Sequence, residues 1–443
     1  MRTLFTFILC SYCAFCNAQT AVKQTLDLPF DSQKAMIDTK ANAIETKVVE
    51  WRRHLHQNPE LGNREVKTEA YIVEHLTKLG NIEIRQNVAK TGVVAILKGG
   101  KPGPVIALRA DMDALPVVER VNIPFASKVR ATYNGQDVGV MHACGHDSHV
   151  AMLMGAAEIL SAMQKDIRGT IVFLFQPAEE GAPDGEEGGA KIMIKEGCLD
   201  NPKVEVAFGL HISSGTEVGK INYKPAGAMA ASDELRIKVK GKQTHGARPW
   251  AGVDPIVVSA QIINGLQTII SRQTDLTNEA AVITIGKISG GVRNNIIPEE
   301  VEMIGTIRTL DNKMQDEIHA RIKKTAEKIA ESMDAVAEVT IKRGYPVTYN
   351  NPELTTMMLP TMNEVAGEKN VSLVHATTGA EDFSFYAQKV PGLFLFLGGM
   401  PVGQDPNKAA PHHTPDFYID DSGMKLGVRT LCYLATDYAN LKK

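Results

Sequence analysis

Apolar and polar positions along this chain follow two different spacings, and the spacing changes in blocks. Helical spacing runs through residues 51–55 and stops before Pro59, after a weakly patterned segment that reaches about Ile44. It returns at Val66, Ala70, Val73 and Leu76, with Asn63 placed to cap this second helix and Gly80 to end it. Continuous apolar runs at 93–97 and 105–108, bounded by Gly and Pro, predict buried strands. Residues 148–163 predict a helix, 170–175 a strand, 189–195 a helix and 204–210 a strand. Strands alternating with helices predict an α/β fold in three layers, αβα, around a largely parallel or mixed sheet. Sites in such sheets collect beyond the strand ends, which is where Asp111, Glu179 and His211 fall.

The middle of the chain reads as a separate unit. Residues 233–240 alternate Leu235, Ile237 and Val239 with polar side chains, a half-exposed strand. A helix over 253–271 is opened by Asp254 and Pro255, and strands follow at 281–288 and 301–309. Residues 311–333 predict an amphipathic helix with Asp311 as its N-cap, and 336–341 a last strand. The order βαββαβ is that of a ferredoxin-like sandwich inserted into the first domain. Near Gly344 the chain returns, with a helix at 352–365, a strand at 393–397 and a final helix from about Ser422. The expected partition is a main domain from 45–228 and 344–443, interrupted by an inserted domain at 229–343. Two domains suit a chain of 443 residues.

A net charge of -3 gives no case for nucleic acid or for an anionic membrane as partner. At the N-terminus, Arg2 precedes an apolar run over 4–15, and Cys16 and Ala18 place small residues around a cut after Ala18. Residues 1–18 therefore read as a cleaved secretory signal, which makes the mature protein periplasmic or secreted, with no membrane segment left. A short buried helix is the plainer alternative. Of six cysteines, Cys144, Cys198 and Cys432 would remain, too few for a disulfide scaffold. Cys198 and Cys432 can pair or stay free.

The chemistry concentrates in the run His142-Ala-Cys-Gly-His-Asp-Ser-His149. Cys144 and His146 are two residues apart, a spacing that lets one metal site collect both, and thiolate with imidazole suits zinc and its borderline neighbours. Alone, such a turn is often incidental. Gln176-Pro-Ala-Glu-Glu180 and Gly209-Leu-His211 each follow an apolar run, and His412 and His413 lie near the C-terminus. A dispersed metal site is the best single account of these residues. Adjacent Glu179 and Glu180 can divide the labour, one binding metal and one handling protons. Sequence alone does not order the two, nor choose between His412 and His413.

These motifs, with Arg109-Ala-Asp-Met-Asp-Ala-Leu-Pro116, His245-Gly-Ala247, Gly305-Thr-Ile-Arg308, Gly379-Ala-Glu-Asp-Phe-Ser384 and His413-Thr-Pro415, occur in a fixed order. The chain resembles the amidohydrolase branch of the aminoacylase-like metallopeptidases, which includes hippurate hydrolases, N-acyl-amino-acid amidohydrolases and plant auxin-conjugate hydrolases. The likeness runs from about Val49 to the end.

That resemblance implies metal ligands Cys144, His146, Glu180, His211 and His413, enough for two divalent ions drawn from zinc, manganese, cobalt or nickel. It assigns Glu179 as general base and acid, with Asp113 orienting a ligand imidazole. His245 would donate to the developing oxyanion, commonly from the partner subunit, and Asn295 and Arg308 would hold the substrate's carboxylate. The plainer readings are a core histidine for His211, a surface histidine for His245, a turn-capping carboxylate for Asp113 and an exposed edge residue for Arg308. Glu381 and Asp382 support the metal shell or cap a helix. The implied activity is hydrolysis of N-acyl or N-aroyl amino acids by a homodimer joined through the inserted domain. The rivals are a dipeptidase or carboxypeptidase on the same scaffold and a ligand-binding relative without catalysis.

Overall fold

The computed structural model describes residues 29–442, so the expected signal at 1–18 lies outside the described residues. Its main sheet has eight strands in the order Glu83–Val88, Gly92–Lys98, Arg168–Gln176, Lys101–Asp111, Val206–Glu217, Gly392–Met400, Ile221–Tyr223 and Val371–Leu373. The strands from Arg168–Gln176 to Gly392–Met400 are mutually parallel, and antiparallel pairings flank them on both sides. The sheet is therefore mixed. Alternate residues of one strand feed two separate cores. Val93, Ala95 and Leu97 pack with Ile37, Val150 and Leu431 of the helices Pro29–Gln57, His146–Ala162 and Met424–Leu441. Val94 and Ile96 face the other way, onto Ala190, Met193 and Phe383. This is the three-layer αβα arrangement.

Local departures from the sequence expectation have local causes. The first helix begins at Pro29, well before residue 45. Its buried stripe of Ile37, Ala41, Ile44 and Val48 has helical spacing but is diluted by polar neighbours. Asn63 does not cap the second helix, Val66–Leu79. It adopts a positive φ of 61° and donates to Glu186 and to the Glu187 carbonyl. Glu60 takes the capping role instead, accepting from the N–H groups of Lys67 and Thr68 at 2.8 and 2.9 Å. The face that helix buries is Thr68, Glu69, Ile72 and Leu76, while Val66 and Ala70 are exposed. Helix His146–Ala162 is buried almost all round because it is packed between the sheet and three other helices, Pro29–Gln57, Val66–Leu79 and Met424–Leu441.

The inserted unit has four antiparallel strands in the order Ala281–Gly290, Glu300–Thr309, Ala231–Lys240 and Val336–Arg343. Helices Pro255–Thr268 and Asn312–Glu331 cover one face and share a core with Leu235, Ile237, Val239 and Met303. In chain order this is βαββαβ, a ferredoxin-like sandwich. Asp254 and Asp311 cap its two helices through their side chains. Arg308 lies on an inner strand, paired to Ser232 on one side and Val282 on the other, so it is no edge residue. The three described cysteines, Cys144, Cys198 and Cys432, are all free.

Candidate metal centre

Three neighbouring strands deliver the site at one end of the sheet. Strand Lys101–Asp111 ends at Asp111 and leaves Asp113 two residues beyond. Strand Arg168–Gln176 gives way to Pro177 and to Ala178, whose φ of 51° turns the chain so that Glu179 and Glu180 follow at the edge. His211 is not at the end of its strand, which continues to Glu217. Its neighbour Lys101–Asp111 stops pairing at Arg109 opposite Gly209, however, so His211 stands beside a gap in the sheet. His146 opens the helix His146–Ala162 after Gly145, which has a φ of 99°. His413 is pinned to the same turn by its N–H, which donates to the Ala143 carbonyl at 2.8 Å.

Hydrogen bonds decide which ring nitrogens are free. Asp113 Oδ1 lies 3.2 Å from His146 Nδ1, so Nδ1 carries a proton and Nε2 is the ring nitrogen left to face the cluster. His146 Nε2 is buried without a partner, 3.7 Å from Asp111, 3.8 Å from Glu179 and 3.9 Å from Glu180. His211 donates from Nδ1 to the Ile212 carbonyl at 2.7 Å and points Nε2 at Cys144 Sγ, 3.3 Å away. His413 Nε2 is 3.3 Å from the same sulfur and 3.1 Å from Glu180 Oε1. Glu180 Oε1 is buried and has no aligned hydrogen bond.

Two further histidines are close but spent. His149 donates to Asp111 at 2.6 Å and accepts the Ile212 N–H at 2.8 Å. His412 accepts the Ser214 N–H at 3.2 Å, and its other nitrogen is 3.2 Å from the Cys144 carbonyl. Neither has a lone pair left for an ion. The structure thus brings Cys144, His146, Glu180, His211 and His413 together, with Asp113 behind His146 and Glu180.

Electrostatics point the same way. Burial works against a charged His146, yet Asp111 and Asp113 outweigh it and raise its pKa to about 10. Burial, reinforced by Glu180 and Glu179, pushes the Cys144 thiol far up. A cluster of carboxylates that draws a proton onto one imidazole while keeping a thiol protonated is short of positive charge, and a divalent cation supplies it. The donor set fits such an ion. Burial, Glu381 and Glu180 likewise raise Glu179 well above the usual carboxylate range.

Sequence reasoning gave no role to Arg109 and left Glu381 and Asp382 between supporting the metal shell and capping a helix. Arg109 is fully buried and pairs with Asp111 at 2.8 Å, Glu381 at 2.9 Å and Asp382 at 2.8 Å. Its Nε donates to Gln176 at 2.8 Å. An arginine two residues before Asp111 in an apolar strand was the available signal, since a buried guanidinium requires carboxylate partners. His245, Asn295 and Arg308 belong to the inserted domain. Among the described residues no hydrogen bond or ion pair joins them to the cluster. His245 and Asn295 are neighbours, through the Gly246 N–H to Asn295 carbonyl bond of 2.8 Å.

Inward-facing donors, with the His146 and His211 rings fixed in tautomer by Asp113 and the Ile212 carbonyl, suit a metal-dependent hydrolase. The chain belongs to peptidase family M20/M25/M40, whose profile matches residues 107–437. Thermostable carboxypeptidase 2 of Saccharolobus solfataricus is 40% identical over 399 residues, covering 90% of this chain and 96% of that protein. N-acetyl-L-cysteine deacetylase of Bacillus subtilis is 36% identical over 408 residues, 92% of this chain and 90% of its own. Among solved structures, the Bacillus subtilis YXEP protein, described as a dinuclear metal binding peptidase from the M20 family, aligns with a TM-score of 0.75. The two are 34% identical, and the alignment covers 90% of this chain and 99% of the other. The protein is an amidohydrolase of the aminoacylase-like branch, with divalent metal as its cofactor.

Proposed function

We propose that the protein hydrolyses N-acyl or N-aroyl amino acids to a carboxylic acid and a free amino acid. One observation carries this reading. The Glu179 carboxylate accepts no hydrogen bond among the described residues, yet stands 3.8 Å from the unpartnered His146 Nε2. Cys144, His146, Glu180, His211 and His413 would hold two ions, zinc, manganese, cobalt or nickel being chemically suited to the set. When bound, metal acidifies water and polarises the scissile carbonyl.

The chain's own residues do the rest. Glu179, whose proton affinity is raised by burial and by Glu381 and Glu180, is placed to take a proton from water and return it to the leaving amine nitrogen. Asp113 holds the His146 ring and the Glu180 backbone in place. His245 Nδ1 accepts the Ala247 N–H at 3.0 Å, which leaves Nε2 protonated and able to donate to an oxyanion. Because His245 is exposed on the inserted domain, it would serve the partner of a homodimer formed through that domain. The Arg308 side chain makes no hydrogen bond or ion pair among the described residues, and with Asn295 it would be placed to grip a carboxylate.

The similarity to a carboxypeptidase supports a second reading, cleavage of unblocked peptides. Steady-state rates on N-acetyl amino acids and on unblocked dipeptides separate the two. A higher kcat/KM on the dipeptides would overturn the first.

A further inference from the structure

The turn that carries Glu179 is held by three side chains, each from a different part of the molecule. The Ala178 N–H donates to buried Glu65 at 2.8 Å. The Glu180 N–H donates to Asp113 at 2.9 Å. Between them, the Glu179 carbonyl oxygen accepts from the Tyr345 hydroxyl at 2.6 Å. Three consecutive residues thus have one backbone atom each fixed from outside, in a turn that already places Ala178 at a φ of 51°. Glu65 and Asp113 belong to the main domain. Tyr345 sits on the segment by which the chain leaves the inserted domain.

That segment is tied to the inserted domain on both sides. The Ser232 N–H donates to the Tyr345 carbonyl at 2.9 Å, which joins the outgoing and returning crossings. They touch so closely that a Cβ on Gly344 would lie 2.2 Å from the Ser232 carbonyl oxygen. Next to them, buried Asp233 accepts the Gly344 N–H at 3.3 Å. Asp233 also accepts from Gln315 and His319, both at 2.7 Å and both on helix Asn312–Glu331 of the inserted domain. On the main-domain side the Tyr345 ring packs edge-on against Phe385, with centroids 6.0 Å apart. A continuous run of polar contacts therefore leads from the inserted domain's helix, through Asp233 and both crossings, to the backbone of Glu179.

We propose that Tyr345 is a positioning residue for Glu179, the contact through which the hinge of the inserted domain sets the aim of that carboxylate. The inference rests on Glu179 being the proton-transfer residue. Among the described residues the Tyr345 hydroxyl bonds only the Glu179 carbonyl, so its influence runs through the Glu179 backbone. A hinge rotation that shifted this carbonyl would move the carboxylate with it, and placement errors of about 1 Å cost up to ~10²-fold in rate.

The test uses full-length, metal-loaded enzyme with N-acetyl amino acids as substrate. Tyr345→Phe removes the hydroxyl and keeps the ring on Phe385. The expected result is a kcat lowered roughly tenfold, with KM, metal content and Tm unchanged. His319→Ala should lower kcat severalfold in the wild-type background and have no further effect in Tyr345→Phe. A wild-type kcat in Tyr345→Phe, or a kcat that falls only in step with metal content, would overturn the positioning role. Additive effects of the two substitutions would overturn the link to the hinge. Glu179→Gln serves as reference. If it retains full turnover, the reading of Glu179 fails; if it is dead while Tyr345→Phe is normal, only this inference fails.

Discussion

Asp113 holds His146 in its working tautomer, with Oδ1 3.2 Å from Nδ1 and both side chains fully buried. The same carboxylate uses Oδ2 to accept the Glu180 N–H. One group therefore orients two of the proposed metal donors, from two different elements. Asp113→Ala should weaken divalent metal binding by about 10–100-fold, the usual consequence of deleting such a partner. Competition against a chromogenic chelator measures this directly, and unchanged affinity would mean that packing alone holds the His146 ring.

Cys144 stands between His211 and His413, 3.3 Å from each. Cys144→Ala should lose bound metal and activity while far-UV circular dichroism stays that of the folded protein. Elemental analysis that found the full metal content would remove the sulfur from the donor set.

Glu179→Gln should keep its metal and lose most turnover, because an amide cannot take the water's proton. General acid–base groups are typically worth ~10²–10⁴-fold. Should Glu180→Gln instead be the variant that keeps metal and loses rate, the roles of the two glutamates are reversed.

The order of elements and the inserted sandwich were legible in the sequence because each has a local signature, and the candidate donors were reached through the order of the family's motifs. Apolar runs bounded by Gly and Pro marked the strands around residues 93–97 and 170–175, and both formed. Motif order singled out Cys144, His146, Glu180, His211 and His413, which the fold gathers from four separate stretches of chain. Contacts set by long-range packing were not legible. Nothing near Glu60 announced that it would cap the helix Val66–Leu79, because that capping comes from outside the usual N-cap position. Arg109 meets Glu381 and Asp382 only after more than two hundred residues have folded between them. The tautomers that exclude His149 and His412 depend on the N–H groups of Ile212 and Ser214, which only the folded backbone brings into range.

Arg109 balances Asp111, Glu381 and Asp382, all buried. Arg109→Met keeps much of the volume but strands those carboxylates without a counter-charge. Removing one partner of a buried ion pair costs about 3–5 kcal/mol, so the urea midpoint should fall markedly. A midpoint within experimental error of wild type would show that the carboxylates share protons well enough to do without the guanidinium.

The role of His245 is the sharpest test of how the two domains cooperate. The residue is exposed, its Nδ1 is occupied by the Ala247 N–H, and no contact joins it to the Cys144 cluster among the described residues. Strand Ala281–Gly290 ends the inserted sheet with an unpaired edge, a natural surface for two-fold self-association. If two inserted domains pair there and each lends His245 to the other's site, the protein is a dimer in solution. His245→Ala should then cut turnover by roughly 10²–10³-fold and leave metal content intact, since an oxyanion donor acts on the transition state. Mixing His245→Ala with Glu179→Gln and letting subunits exchange gives the decisive measurement. A hybrid dimer would hold one site with an intact Glu179 and an intact His245 contributed across the interface, so activity should reappear from two inactive preparations. Hybrids that form and stay inactive would show that His245 serves its own subunit, or no site at all.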